Sequence, residues 1–286
     1  MGWRSTLGVA IAAAALAAGC GGGGDDGLAG QLEQPPAAKV FALQGFQPSG
    51  KVAENTKTDV SFAIEQPSGK PLTTYAQGNG PHTGVHVLYV RDDLSAIIHR
   101  HPPVGADGRI DDEVTFKSPG KYRVVVDAYP AASGVQKNFQ LFDWVTVAGK
   151  STAKPLPSFK QTQKVDGYTV SIEGKPDLKA ITASLITITI TDPEGKPAKF
   201  TPYYGALAHA IFFREGSLDY FHTHVCAPGT QGCTFTLGAT QVTGTTGQQG
   251  VLKVGVLVPV AGRWRLFVQA RADGHLLTAP FTLDVK

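Results

Sequence analysis

The chain carries the same strand–turn–strand pattern twice, which constrains its architecture more tightly than any other feature. TDVSFAIEQPSGKP (58–71) and LITITITDPEGKP (185–197) are alternating segments that end in the same Pro-x-Gly-Lys-Pro turn. Each is followed by a hairpin, HVLYVRDDLSAIIHRH (86–101) and HAIFFREGSLDYFHTH (209–224). Each copy closes with a turn and an apolar strand, SPGKYRVVVDAY (118–129) and VAGRWRLFVQAR (260–271), then a final strand, FDWVTV and FTLDV. Short alternating runs rich in Val, Ile, Thr and aromatics, broken by Gly and Pro, specify antiparallel strands. No stretch beyond the N-terminal segment sustains a helical period. The expected fold is all-β: two tandem immunoglobulin-like or cupredoxin-like β-sandwich domains, each large enough to bury its own core.

Five segments follow from these landmarks. Residues 1–19 read as a signal peptide, with Arg4 before the apolar run LGVAIAAAALAAG, which is too short to span a bilayer. LAAGC resembles the bacterial lipobox, so Cys20 is expected to carry lipid, and the glycine-rich 20–37 to be a flexible tether. Domain 1 is expected at 38–148, a polar, proline-containing linker at 149–163 and domain 2 at 164–286. The implied location is the cell envelope, extracytoplasmic and anchored to a membrane by the N-terminal lipid. In that oxidising setting Cys226 and Cys233, which bracket a polar loop, are expected to form a structural disulfide.

The hairpins carry the histidines. In an antiparallel hairpin turning at residues 92–95, paired numbers sum to about 187, so His86 faces His101 and Leu88 faces His99. Side chains alternate across a strand, so His99 and His101 share one face with Arg100 on the other. Opposed residues bring their Cβ atoms about 4.5–5.5 Å apart. His86, His99 and His101 therefore converge, at a separation that lets imidazoles close on a metal about 2.0–2.1 Å from each nitrogen. The second hairpin repeats the spacing with His209, His222 and His224, while the residues between differ almost completely. His82 precedes the first triad and could add a fourth ligand; its aligned position in the second copy is Gly205.

The donor set is all nitrogen. The only methionine is Met1, and Cys226 and Cys233 are expected to be paired with each other, so no thiolate is in reach, which excludes a blue-copper site. Imidazole clusters suit copper(II) and zinc, and the Irving–Williams order favours copper. No acid or base alternates with the histidines on their face, and no Ser/His/Asp set, phosphate loop or dinucleotide fingerprint appears, so an enzyme is not expected. A net charge of +3 without a basic cluster gives no footprint for nucleic acid.

Gly205, His209, Tyr220, His222, His224, Gly262 and Trp264 together resemble exported bacterial YtkA-like, heavy-metal-associated β-sandwich domains. In the first copy His86, His99, His101, Gly120 and Tyr122 match, but Ile97 replaces the tyrosine, which makes the first site the more diverged. The resemblance implies metal association at the cell envelope. The expectation is a lipid-anchored protein that binds copper(II) or zinc through one triad per domain, for metal homeostasis or resistance. The alternative is a structural or adhesive tandem-sandwich lipoprotein whose histidines only hydrogen-bond.

Overall fold

The computed structural model describes residues 40–76, 84–131, 138–228, 236–237, 240–241 and 244–286. The signal segment, Cys20, the tether, His82 and Cys233 lie outside the described residues. Among those described there is no helix. Two immunoglobulin-like β-sandwiches follow one another along the chain, as the repeat requires.

Domain 1 is built from β1 (Ala42–Gln47), β2 (Lys57–Glu65), β3 (Val85–Arg91), β4 (Ile97–Arg100), β5 (Arg109–Thr115), β6 (Gly120–Ala128) and β7 (Phe139–Val147). Its sheets have the orders β1-β2-β5 and β4-β3-β6-β7. Domain 2 contains β8 (Thr162–Val165), β9 (Tyr168–Ile172), β10 (Ser184–Thr191), β11 (Phe200–Thr201), β12 (Ala208–Arg214) and β13 (Tyr220–Cys226). Short strands β14 (Thr236–Leu237), β15 (Thr240–Gln241) and β16 (Gly244–Thr245) lead to β17 (Val251–Val256), β18 (Gly262–Ala272) and β19 (His275–Val285). One sheet runs β17-β10-β9-β8; the other runs β11-β18-β12-β13-β16, with β19 also paired to β18. β8 begins at Thr162, two residues before the expected start of domain 2 at residue 164.

Each sandwich has its own core. Val60, Phe62, Val87, Tyr89 and Val124 are among the residues that fill the first, and Ile188, Phe212, Trp264, Leu266 and Phe281 among those that fill the second. The copies agree in detail. Gly120 and Gly262 adopt φ of +130° and +134°, and an added Cβ would come within 2.9 Å of the Nε of Arg91 and of Arg214. Glycine is required twice at one place for one reason, the close approach of an arginine to the strand start.

A third core joins the domains. Leu88, Val90, Leu94 and Val125 of domain 1 pack with Ile211, Phe213, Leu218 and Phe267 of domain 2 and with Leu156 of the linker. These residues alternate with those of the two internal cores. They lie on the outer face of the β3 sheet and of the β12 sheet, so the central strands β3 and β12 are buried on both sides: every residue of β3 is buried, and every residue of β12 but Arg214. Lys39–Lys286 is accordingly one compact unit. Arg123 donates to the carbonyls of Ser217 and Leu218, each at 3.0 Å, across the interface. The middle of the linker is pinned to both domains: Lys154 donates its backbone N–H to Asp93 of domain 1, and Arg263 of domain 2 donates to the carbonyls of Leu156 and Pro157.

Candidate metal centre at the domain interface

The hairpins fold in the register expected of them. Leu88 pairs with His99 and Val87 with Arg100 in the first, and His209 pairs with His224 in the second. Each turn is closed by a leucine in the left-handed region, Leu94 at φ 59° and Leu218 at φ 58°. Both leucines are buried in the core between the domains, so packing holds a backbone conformation that leucine seldom adopts.

Where the triads sit corrects the expectation of two separate sites. Their shared face does not open to solvent at one end of each sandwich; it is the face on which the two domains meet. His86 and His209 are 0% exposed, His99 3% and His224 4%, while His101 and His222 are half-buried. The six rings form one cluster with reciprocal contacts. His86 lies 5.5 Å from His222, centroid to centroid, and the equivalent pair His209 and His99 lies at 4.9 Å. His86 and His224 are 6.0 Å apart, and His209 and His101 are 6.3 Å apart.

Three sets of histidines bring one ligand nitrogen each to within 4.8 Å of one another: His86, His99 and His101; His86, His222 and His224; and His99, His209 and His222. The first belongs to domain 1 alone and the other two are mixed. Closest approaches are 3.2 Å between His99 Nε2 and His101 Nε2, and 3.2 Å between His209 Nδ1 and His222 Nε2. Two nitrogens bound tetrahedrally to one ion at about 2.0–2.1 Å are about 3.3–3.4 Å apart, so these edges are near ligand spacing.

Two rings are oriented from outside the cluster. His209 Nε2 lies 2.8 Å from the Tyr203 carbonyl, which can only accept, so that nitrogen carries the proton and Nδ1 is bare in the neutral ring. His99 Nδ1 lies 3.1 Å from Gln269 Oε1, while the Gln269 amide donates to Thr278 Oγ1 at 3.1 Å. That assignment places the His99 proton on Nδ1 and leaves Nε2 as the donor atom. Fixing a ligand's tautomer through its far nitrogen is the usual support of metal-binding histidines. Tyr204 stacks on His101, with ring centroids 3.8 Å apart.

Three of the six rings are held in the neutral form. Burial, reinforced by neighbouring rings, holds His99 and His222 well below the ordinary histidine range. His101 is lowered to about 3, chiefly by burial and then by His209. Unprotonated imidazole is the form that binds metal.

Asp127 was not anticipated from sequence. It pairs in register with His86 on β6, as Gln269 pairs with His209 on β18. Tyr220 of the other domain donates to it at 3.3 Å, and Asn138 and Gln140 donate at 3.4 and 3.3 Å. Burial raises its carboxyl to about 6 despite those donors. Asp127, Tyr129, Tyr220, His222 and His224 line a cavity of about 110 Å³. The available signal was a polar residue inside an otherwise apolar strand, at the same position of both copies (VVVDAY and LFVQAR). Cys226 ends β13, is buried and carries no free thiol; Cys233, its expected partner, falls outside the described residues.

Structural likenesses are distant. The chain aligns over 86% of its length with 38% of invasin, a bacterial integrin-binding protein, at 16% identity and a TM-score of 0.23. It aligns over 86% with 93% of the fibronectin(III)-like modules of Clostridium thermocellum CbhA, at 13% identity and a TM-score of 0.21. It also aligns over 87% with 52% of Tp47, the 47-kilodalton lipoprotein of Treponema pallidum, at 13% identity and a TM-score of 0.24. TM-scores this low say nothing of function. No curated protein matches the chain. Residues 163–286, which span domain 2, match a family described as Domain of unknown function (DUF8832).

Proposed function

We infer that the protein binds a divalent transition metal ion, copper(II) or zinc, at a centre shared by its two domains. One observation carries this reading: buried and half-buried histidines from both domains bring their ring nitrogens within 4.8 Å in sets of three. The donor chemistry is all imidazole, which suits those two ions. The residues around it do not form a catalytic set, so the role is binding, buffering or transfer of metal. The expected lipid at Cys20 would hold the centre at a membrane surface, in keeping with metal homeostasis or resistance.

A second reading is a structural or adhesive tandem-sandwich lipoprotein in which the histidines tie the domains together. It is favoured by the 3.2 Å histidine–histidine contacts and the Tyr203 and Gln269 contacts, which suffice as a hydrogen-bond network without any ion. Calorimetric titration with Cu²⁺ and Zn²⁺ separates the two. A shared centre gives saturable binding at micromolar metal or tighter. Replacing His99 in one domain or His222 in the other by alanine then weakens it beyond the roughly 10–100-fold that loss of an outer-shell partner costs. No saturable binding, with both variants melting below the parent, establishes the structural reading.

A further inference from the structure

The centre holds more ligands than one ion can use. Among the described residues no four ring nitrogens meet the distance that the sets of three satisfy, so one ion draws on three histidines. Any two of the three sets share a residue, so filling two at once requires one histidine to use both its nitrogens. His99 cannot, because its Nδ1 is committed to Gln269. Sharing through His86 would leave out His209, whose bare Nδ1 lies 3.2 Å from His222. His222 remains. Its Nε2 faces His209, and its Nδ1 is buried with no hydrogen-bond partner.

The reciprocity of the domains shows why that nitrogen stands alone. His222 occupies the place of His99, and Asp127 the place of Gln269, so an Asp127–His222 contact is expected by symmetry. It is not made: the Asp127 carboxylate is held by Tyr220, Asn138 and Gln140, and Asp127 and His222 instead line one cavity of about 110 Å³. That volume exceeds the roughly 30 Å³ share of a water in the liquid.

We propose a second divalent-ion site bordering this cavity, formed by His86, His222 Nδ1 and His224, of which His222 and His224 line the cavity together with Asp127, with His222 bridging to a first ion held by His99, His209 and His222 Nε2. This rests on the metal-binding reading. On arrival of the second ion His222 gives up its remaining ring proton to solvent and becomes an imidazolate shared by both ions; no oxidation or reduction is involved. The carboxylate offsets positive charge that a buried all-imidazole site would otherwise gather uncompensated.

Copper(II) is the probe. The full-length chain in detergent is titrated while bound copper and the electron paramagnetic resonance signal are followed together. Two ions per chain are expected, the signal rising to the first equivalent and falling as the second couples to it through the shared ring. Asp127→Asn is expected to weaken the second step about tenfold or more and leave the first unchanged. His222→Gln, checked for folding by its circular dichroism melt, is expected to bind without coupling. Saturation at one ion per chain overturns the second site while the metal-binding reading stands, and two ions with the summed signal of isolated spins overturn the bridge. An unchanged second step in Asp127→Asn removes the carboxylate's part, and no saturable binding sinks both readings.

Discussion

The two domains are copies, yet they do not contribute equally to the centre. Domain 1 brings its three histidines together by itself; the described sets include none drawn from domain 2 alone. Domain 2 instead supplies outside support: the Tyr203 carbonyl under His209, the Gln269 amide behind His99 and the Tyr204 ring against His101. Domain 1 answers with a charge, Asp127, where domain 2 has the neutral Gln269. Once duplication has placed equal triads face to face, each half can specialise, one toward ligands and charge, the other toward orientation.

The largest test of that division lies in the core between the domains. Phe213 and Val90 are equivalent and both are buried there. Phe213→Ala is expected to lower stability by about 3–5 kcal/mol in urea denaturation. Val90→Ala removes only two methylene equivalents, at about 0.8 kcal/mol each before any cavity term. Equal losses would mean that the domains do not depend on this contact. Gln269→Leu comes next: it leaves the His99 Nδ1–H buried without an acceptor and is expected to weaken metal binding about 10–100-fold. Unchanged affinity would show that His99 is oriented by packing alone.

Acid sharpens the contrast. The unfolded chain's histidines titrate near 6.5, whereas His99 and His222 are held well below that and His101 at about 3. Below pH 6.5 the unfolded state therefore binds protons that the folded state refuses. Metal-free stability should fall as pH drops, by up to about 1.4 kcal/mol per pH unit for each such histidine. Asp127, raised to about 6, works the other way: its contribution is present below the unfolded value near 3.9 and is lost as pH rises through 6. Asp127→Asn should thus steepen the acid loss between about pH 4 and 6, as thermal melts across that range would read. A shallower loss would reverse the assignment. The smallest effect is expected at the equivalent arginines. Arg123 reaches across to domain 2, while Arg265 stays within its own domain, bonded to Thr282. Arg123→Ala should lower stability by about 1 kcal/mol.

Much of this was legible from the sequence. Alternation and turn residues gave the all-β class, both hairpin registers and the face that His86, His99 and His101 share. What that face meets was not legible, because a period of two says which residues lie together and not whether water or protein covers them. A sign was present: Leu88 and Val90, like Ile211 and Phe213, are apolar on the histidine face while Val87, Tyr89 and Phe212 are apolar on the other. Strands apolar on both faces are strands covered on both. The partner of each face lay more than a hundred residues away in its own twin, a relation that local pattern does not carry. Asp127 and Gln269 escaped for the same reason, since a polar residue in a buried strand acquires meaning only from the ring opposite.

The reciprocal ring contacts, His86 with His222 and His209 with His99, have the form of an isologous dimer interface written into a single chain. In a homodimer such a pocket comes apart on dilution, since its halves are separate molecules. Here a short, pinned linker keeps the halves as intramolecular neighbours, so assembly of the pocket is independent of protein concentration.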